Sequence, residues 1–335
     1  MRLLLAPMEG VADFVLRDVL TAIGGYDLAV SEFVRVSGTL LPRRMFERIC
    51  PEILTGSRTA AGTPVAVQLL GSDPALLAEN AARLAALSPH GIDLNFGCPA
   101  KVVNRHGGGA MLLDRPRLLH DIAVAVRAAV PAAIPVSAKM RLGIADPSRA
   151  LDCAHALADG GAQAIVVHAR TREQGYRAPA HWEWVARIGD AVRVPVTANG
   201  EVWSVRDWGR CREVSAAEDV MIGRGAVSDP WLARRIRGER DPEPDERDWA
   251  ELHPHLLRYW EGVQGRAAPV HACGRLKLWL GMLRRTYPAA GRLHEAVRCV
   301  VHPARMNEEL RRHGIGALDH PPRTAPTRPT TNPDR

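Results

Sequence analysis

The chain is poor in features that would place it in several large functional classes. Its six cysteines, Cys50, Cys98, Cys153, Cys211, Cys273 and Cys299, form no C-x-x-C pair. The spacing therefore offers no zinc or iron–sulfur site, and no metal is expected. No apolar run is long enough to span a bilayer. Met1-Arg2 passes straight into Leu3-Leu4-Leu5, without the segments of a leader peptide. A reduced, cytoplasmic protein without membrane contact is the expectation. Lysine is nearly missing: of 44 basic residues only Lys101, Lys139 and Lys277 are Lys. An ammonium and a guanidinium do different chemistry, so the three rare lysines draw notice.

The net charge is +7, and the excess is local. Residues 265–312 hold ten Lys or Arg against three Asp or Glu, which leaves 34 of each sign in the rest. Such a concentration fits a polyanion partner, or else a solvated helical face.

Short β-rich runs recur about every thirty residues, each followed by a helix-like stretch. The strand candidates are 3–8, 28–34, 65–71, 91–97, 136–142, 164–170, 194–198 and 219–223, and helices are expected at 12–23, 74–87, 115–129, 148–159 and 204–214. Ser72-Asp73-Pro74 and Asp146-Pro147-Ser148 read as helix starts. Eight βα units with strands apolar on both faces predict an α/β fold, a (β/α)8 TIM barrel over residues 1–240. A doubly wound sheet is the alternative, weakened by the lack of an early G-x-G-x-x-G turn. Asp241-Pro242-Glu243-Pro244-Asp245-Glu246 reads as a linker, residues 247–315 as a small all-α helical domain, and the Pro/Thr-rich stretch 320–335 as a disordered tail.

Active sites of such barrels lie at the carboxyl ends of the strands, and the unusual residues gather there. Asp93-Leu94-Asn95-Phe96-Gly97-Cys98-Pro99 reads as a buried strand ending in a turn that presents one thiol. Cys98 is either a small buried hydrophobe or a reactive group. Gly107-Gly108-Gly109-Ala110 follows as a segment suited to a lid. Asn199-Gly200-Glu201 and Gly223-Arg224-Gly225, after strands seven and eight, suit a phosphate, or are two ordinary turns. Lys139 lies in an apolar strand where an ammonium would steady negative charge, and Gln68 has a donor and an acceptor for a heterocycle edge. Pro7-Met8 offers an apolar shelf, and His168 either meets the same ring or is satisfied core structure.

Taken in order, Ala6-Pro7-Met8, Asn95-x-Gly97-Cys98-Pro99 with Gly109-Ala110, Lys139-Met140-Arg141, His168-Ala169-Arg170-Thr171, Asn199-Gly200 and Gly223-Arg224 resemble the flavin-dependent tRNA-dihydrouridine synthases over nearly all of 1–315. The resemblance implies an FMN-containing barrel, a helical tRNA-binding domain, and reduction of a tRNA uridine to 5,6-dihydrouridine by NADPH, with NADH as a possible substitute. It implies that Pro7, Met8, Glu9, Gln68, Lys139, His168, Asn199, Gly200, Glu201, Gly223 and Arg224 hold FMN and that Cys98 is the proton donor.

Glu32-Phe33-Val34-Arg35, Glu173-Gln174-Gly175-Tyr176, Arg275-Leu276-Lys277-x-Trp279 and Arg298 look like the bacterial C-type subgroup, which acts on U16 of the D-loop. On that resemblance Arg35, Asn95, Tyr176, Arg275, Lys277 and Arg298 are tRNA-contact candidates, and a monomer is expected. Phe96 is bulkier than expected at its position and is read as narrowing the pocket. The alternatives are the same reaction at U17 or U20, a small-molecule FMN barrel of the dihydroorotate or dihydropyrimidine dehydrogenase type, and a non-catalytic tRNA-binding protein.

Overall fold

The computed structural model describes residues 1–100, 107–266 and 268–316. Lys101 and the Pro/Thr-rich stretch 320–335 lie outside these residues, so the expectations placed on them go no further.

Nine parallel strands form one closed sheet: β1 (Leu3–Leu5), β2 (Leu28–Val30), β3 (Val34–Arg35), β4 (Val65–Leu70), β5 (Ile92–Phe96), β6 (Val136–Arg141), β7 (Ala164–His168), β8 (Val196–Asn199) and β9 (Val220–Ile222). The order β2-β1-β9-β8-β7-β6-β5-β4 closes on itself through β2–β4 pairing, with Ala29 opposite Val65. Closure excludes the doubly wound sheet. β2 and β3 are one barrel strand broken at residues 31–33, and both halves pair with β4. At the break the Ser31 hydroxyl donates to the Glu32 carbonyl and accepts the Gln68 N–H. Glu32 is thereby free to turn outward and accept the Gly10 N–H at 2.6 Å. The barrel is therefore eight-stranded, as the βα pattern predicts, and strands such as β4 are buried along their whole length because helices cover their outer face.

Helix starts follow side-chain capping only in part. Asp73 caps Pro74–Ala85 by accepting the Leu76 N–H, and Asp13 does the same for Phe14–Ile23 through Leu16. The expected start at Asp146-Pro147-Ser148 is corrected. The Asp146 carboxylate bonds the Ser148 N–H in a local turn, and the helix begins later, at Ala150.

The helices Glu246–Gln264, Pro269–Leu283, Pro288–Val297 and Pro303–Arg312 follow the barrel. They share its apolar core: one continuous buried cluster runs from Leu3 through Trp260, Trp279 and Leu310. Trp279 donates its indole N–H to the Val227 carbonyl at 3.1 Å. Gly262 lies so close to Val15 that a Cβ there would sit 2.6 Å from Val15 Cγ1.

The linker is held as well. Arg235, buried, pairs with Asp229 at 2.8 Å and Asp248 at 2.5 Å. It also donates to the carbonyls of Asp241 and Glu243. Tyr287, from the helical region, donates to Asp229 at 2.7 Å. The Arg235 guanidinium thus ties the last barrel helix, the linker and the helix Glu246–Gln264 together, and Asp229 adds Tyr287 to the set.

Candidate active site

A cavity of about 460 Å³ opens at the carboxyl ends of the strands. Pro7, Met8, Glu9, Asn95, Cys98, Lys139, His168, Tyr176, Asn199, Gly200, Glu201, Gly223 and Arg224 line it, so most of the residues singled out from separate segments of the sequence meet there.

The turn carrying Cys98 is set by a chain of hydrogen bonds behind it. Asn95 Oδ1 accepts the N–H groups of Gly97 and Cys98 at 3.0 and 2.9 Å. Asn95 Nδ2 donates to Gln68 Oε1 at 2.6 Å. Gln68 Nε2 donates to Asp93, which also accepts from Ser137, each at 2.6 Å. Gln68 is fully buried and does not line the cavity; its amide is occupied on both sides by Asn95 and Asp93. Asn95 reaches the cavity wall with both ends of its side chain engaged. Arg141 clamps the turn from the far side, donating to the carbonyls of Gly97, Thr171 and Gly175. Gly97 and the loop that bears Tyr176 are thus tied to one guanidinium.

Burial pushes the Cys98 thiol pKa up, only partly offset by a hydrogen bond from the Ala100 backbone. The group is a protonated thiol at neutral pH, half the description of a general acid. Leu70 and Phe33 pack against it.

The expected lid takes a different form in its described part. Gly109–Asp114 is a 3-10 helix with Ala110 and Leu112 fully buried, and the Ala110 N–H bonds the Cys98 carbonyl at 3.1 Å. These residues brace the Cys98 turn by packing, and residues 101–106 lie outside the described structure. Phe96 is corrected too. Its ring is buried in the main core and does not narrow the cavity, because alternate residues of β5 face opposite sides of the sheet. The aromatic at the wall near Cys98 is Phe33, placed there by the break in the second barrel strand.

Positive charge dominates the floor. Lys139 Nζ donates to Asn199 Oδ1 at 2.9 Å. Burial, with Arg141 nearby, lowers its pKa to about 7, against a smaller raising effect of Asp93. Arg170 is pushed down to about 10 by burial and by Arg224 and Arg141. Burial and the same surrounding cations hold His168 well below its usual value, so its ring is neutral at pH 7. Its Nε2 lies 3.3 Å from Arg170 Nη1, an obligate donor, which assigns the proton to Nδ1. Lys139, Arg141, Arg170 and Arg224 face a cavity that, among the described residues, is lined by two carboxylates, Glu9 and Glu201, and Glu201 is paired with Arg170. An anionic ligand would relieve that repulsion.

The two glycine turns are sterically required at different points. A Cβ on Gly200, whose φ is +114°, would sit 2.9 Å from His168 Cδ2, and one on Gly225 would sit 2.0 Å from the Val202 carbonyl oxygen. Glu201 itself has φ +62°, a strained value for a residue with a side chain. Arg224 is stacked between the rings of Tyr176 and Trp203, 4.6 and 5.0 Å from their centres. Trp203, Arg170 and Phe33 also line the cavity. No spacing rule marks Trp203, because its role depends on what the helical region brings against it.

The tRNA-contact candidates separate into two groups. Asn95 and Tyr176 are at the cavity; Arg35, at the end of β3, is close enough to act on Glu9 and Cys98 electrostatically. Arg275, Lys277 and Arg298 do not line it and have partners within the chain. Arg275 pairs with Asp13 at 2.8 Å, Lys277 donates to the carbonyls of Arg298 and Val300, and Arg298 pairs with Glu295 at 3.3 Å. Among the described residues no cluster of His, Cys, Asp or Glu could hold a metal ion, and no helix is long and apolar enough to cross a membrane.

Relatives of this chain are abundant. A tRNA-dihydrouridine(16) synthase from Ralstonia nicotianae is 66% identical over 319 residues, 95% of each chain. One from Pseudomonas putida is 57% identical over 87% of this chain and 90% of the relative. Among solved structures, the old yellow enzyme homologue from Zymomonas mobilis superposes with a TM-score of 0.51 at 13% identity, over 74% of this chain and 92% of that one. Morphinone reductase gives 0.52 at 14%, over 74% and 88%. At such identities these two show the barrel fold alone. The family model described as dihydrouridine synthase matches residues 4–311, the barrel and the C-terminal helices together, and the chain belongs to that family.

Proposed function

We propose that this protein reduces a uridine of the tRNA D-loop, U16, to 5,6-dihydrouridine, with FMN as its bound flavin and NADPH as reductant. The observation that carries the reading is Cys98: a thiol kept protonated by burial, on a braced turn, at the wall of a cation-rich cavity.

The residues present fit FMN. Pro7 and Met8 give an apolar shelf, Lys139 a cation for an anionic ring, and Gly200, Gly223 and Arg224 a phosphate seat. When bound, FMN would supply hydride chemistry at C6 of the uracil, with NADPH as the source of its electrons. Cys98 delivers a proton to C5, so hydride and proton together saturate the C5–C6 bond, and solvent returns the proton to the thiolate. Lys139 holds positive charge against the buried ring. Asn95 and Gln68 keep Cys98 aimed, and Arg141 ties its turn to the loop bearing Tyr176. The target base must leave its stack to reach this depth. The helices at 247–315 act as the tRNA-binding unit, and the basic excess there supports a polyanion over a free pyrimidine.

The test uses a strain lacking the protein. Its tRNA should lose dihydrouridine at position 16 and keep it at 17 and 20. The wild-type chain should restore it, and Cys98→Ala should not. In purified form Cys98→Ala should still be reduced by NADPH while its tRNA step slows by about 10²–10⁴-fold. Loss at position 20 instead would overturn the site, and a Cys98→Ala enzyme with a normal tRNA step would overturn the proton donor.

A further inference from the structure

Trp203 holds two guanidinium groups against its ring at the cavity rim. Arg224 lies 5.0 Å from its ring centre and Arg285, which follows the helix Pro269–Leu283, lies 4.0 Å from it. On the inner side Arg224 also stacks on Tyr176, whose ring is 5.9 Å from His168. His168, Tyr176, Arg224, Trp203 and Arg285 therefore form a continuous stack from the cavity floor to the helical region.

The indole is fixed in place. Its N–H donates to Glu201 Oε1 at 3.1 Å, and the Trp203 backbone N–H donates to Asp207 at 3.0 Å. Glu201, the nearby carboxylate, is paired with Arg170. Among the described residues Arg224 and Arg285 have no carboxylate partner of their own. Burial lowers the Arg224 pKa and the neighbouring Arg285 lowers it further, a sign that the two charges are left facing each other. A guanidinium stacked by its face keeps its N–H groups in plane, free to grip an anion. Arg285 is exposed and reachable.

We propose that Trp203 and Arg285 form a docking step for the sugar–phosphate backbone of the tRNA, between the cavity and the helical region. The proposal rests on the tRNA reaction put forward above. A polynucleotide is favoured over a dinucleotide because the stack runs out of the cavity and ends on the helical region, beyond what a nicotinamide at the flavin needs to touch. Trp203 acts as the rigid support and Arg285 as the phosphate contact.

The experiment takes FMN-loaded protein and measures two steps separately, flavin reduction by NADPH and reoxidation by an unmodified tRNA transcript, at several salt concentrations. Arg285→Ala should raise the half-saturating tRNA concentration by about tenfold and flatten the log–log salt dependence of tRNA binding by about one unit. Reoxidation at saturating tRNA and the NADPH step should stay as in wild type. Arg285→Lys should recover the salt slope. Unchanged tRNA affinity and slope in Arg285→Ala would overturn the proposal. So would a slowed NADPH step with an intact tRNA step, which would give the rim to the dinucleotide. So would a weakening of both with lowered thermal stability, which would make the stack structural. A wild-type protein that forms no dihydrouridine would sink the underlying reaction, and the salt slope of tRNA binding would still report on Arg285.

Discussion

Lys139 shows how much one buried side chain depends on what the cavity holds. Its amine is surrounded by apolar strand and by Arg141, and its pKa falls from 10.5 to about 7. An anion in the cavity restores the charged form. Ligand binding between pH 7 and the restored pKa must therefore take up a proton, since the free protein is mostly neutral there and the complex is charged. At pH 8, calorimetric titration of apoprotein with FMN in buffers of different ionisation enthalpy should show net proton uptake, and Lys139→Met should remove it. Identical uptake in the variant would assign the proton to another group. Cys98 moves the other way for the same reason. Burial disfavours its thiolate, so under the proposed mechanism it is the group that still carries a proton to give.

At the scale of elements, the site depends on loops that pack backbone against backbone. Gly225, in the short helix Arg224–Ser228 after β9, has no room for a methyl group, because the Val202 carbonyl fills the space. Gly225→Ala should destabilise the protein by about 1–3 kcal/mol, the usual range for overpacking, and displace the 201–203 segment from the cavity. Gly209, within the helix Val205–Ser215, has open space where a methyl group would sit, with no atom within 4 Å. Gly209→Ala should stabilise by about 0.5–1 kcal/mol, as an open helical site does. Thermal unfolding of both variants checks the contrast; equal behaviour would show that the close contact relaxes freely. A glycine is legible in the sequence as a turn, but which atom its hydrogen faces is not.

On the scale of the whole molecule, the barrel and the C-terminal helices are joined by polar hubs as well as by a shared core. Arg235 satisfies Asp229, Asp248 and two linker carbonyls. Removing one partner from such a buried set leaves uncompensated charge, so Arg235→Met should cost about 3–5 kcal/mol and open residues 239–248 to proteolysis. Denaturant unfolding and limited digestion would show it; wild-type stability would mean that Asp229 and Asp248 are satisfied by Tyr287 and Arg240 alone. Arg275 and Lys277 belong to this scale too. Their charges are legible as a basic surface, yet Arg275 faces Asp13 and Lys277 caps carbonyls of the following segment. Reversing them would disturb docking of the helices before it tested any phosphate contact.

Short apolar runs and their spacing by themselves determined the eight βα units, the barrel, the helical C-terminal region, and the strand ends at which Cys98, Lys139, His168 and Gly200 converge. These are local properties: a strand that must be buried on both faces reads as apolar wherever it lies. Tertiary structure decided the rest. It turned Gln68 and Asn95 into a support for the Cys98 turn, moved Phe96 into the core and brought Phe33 to the cavity. It also drew Trp203 and Arg285 together from 82 residues apart. Each of these depends on which face of a strand or loop meets a neighbour distant in sequence, and periodicity carries no record of that.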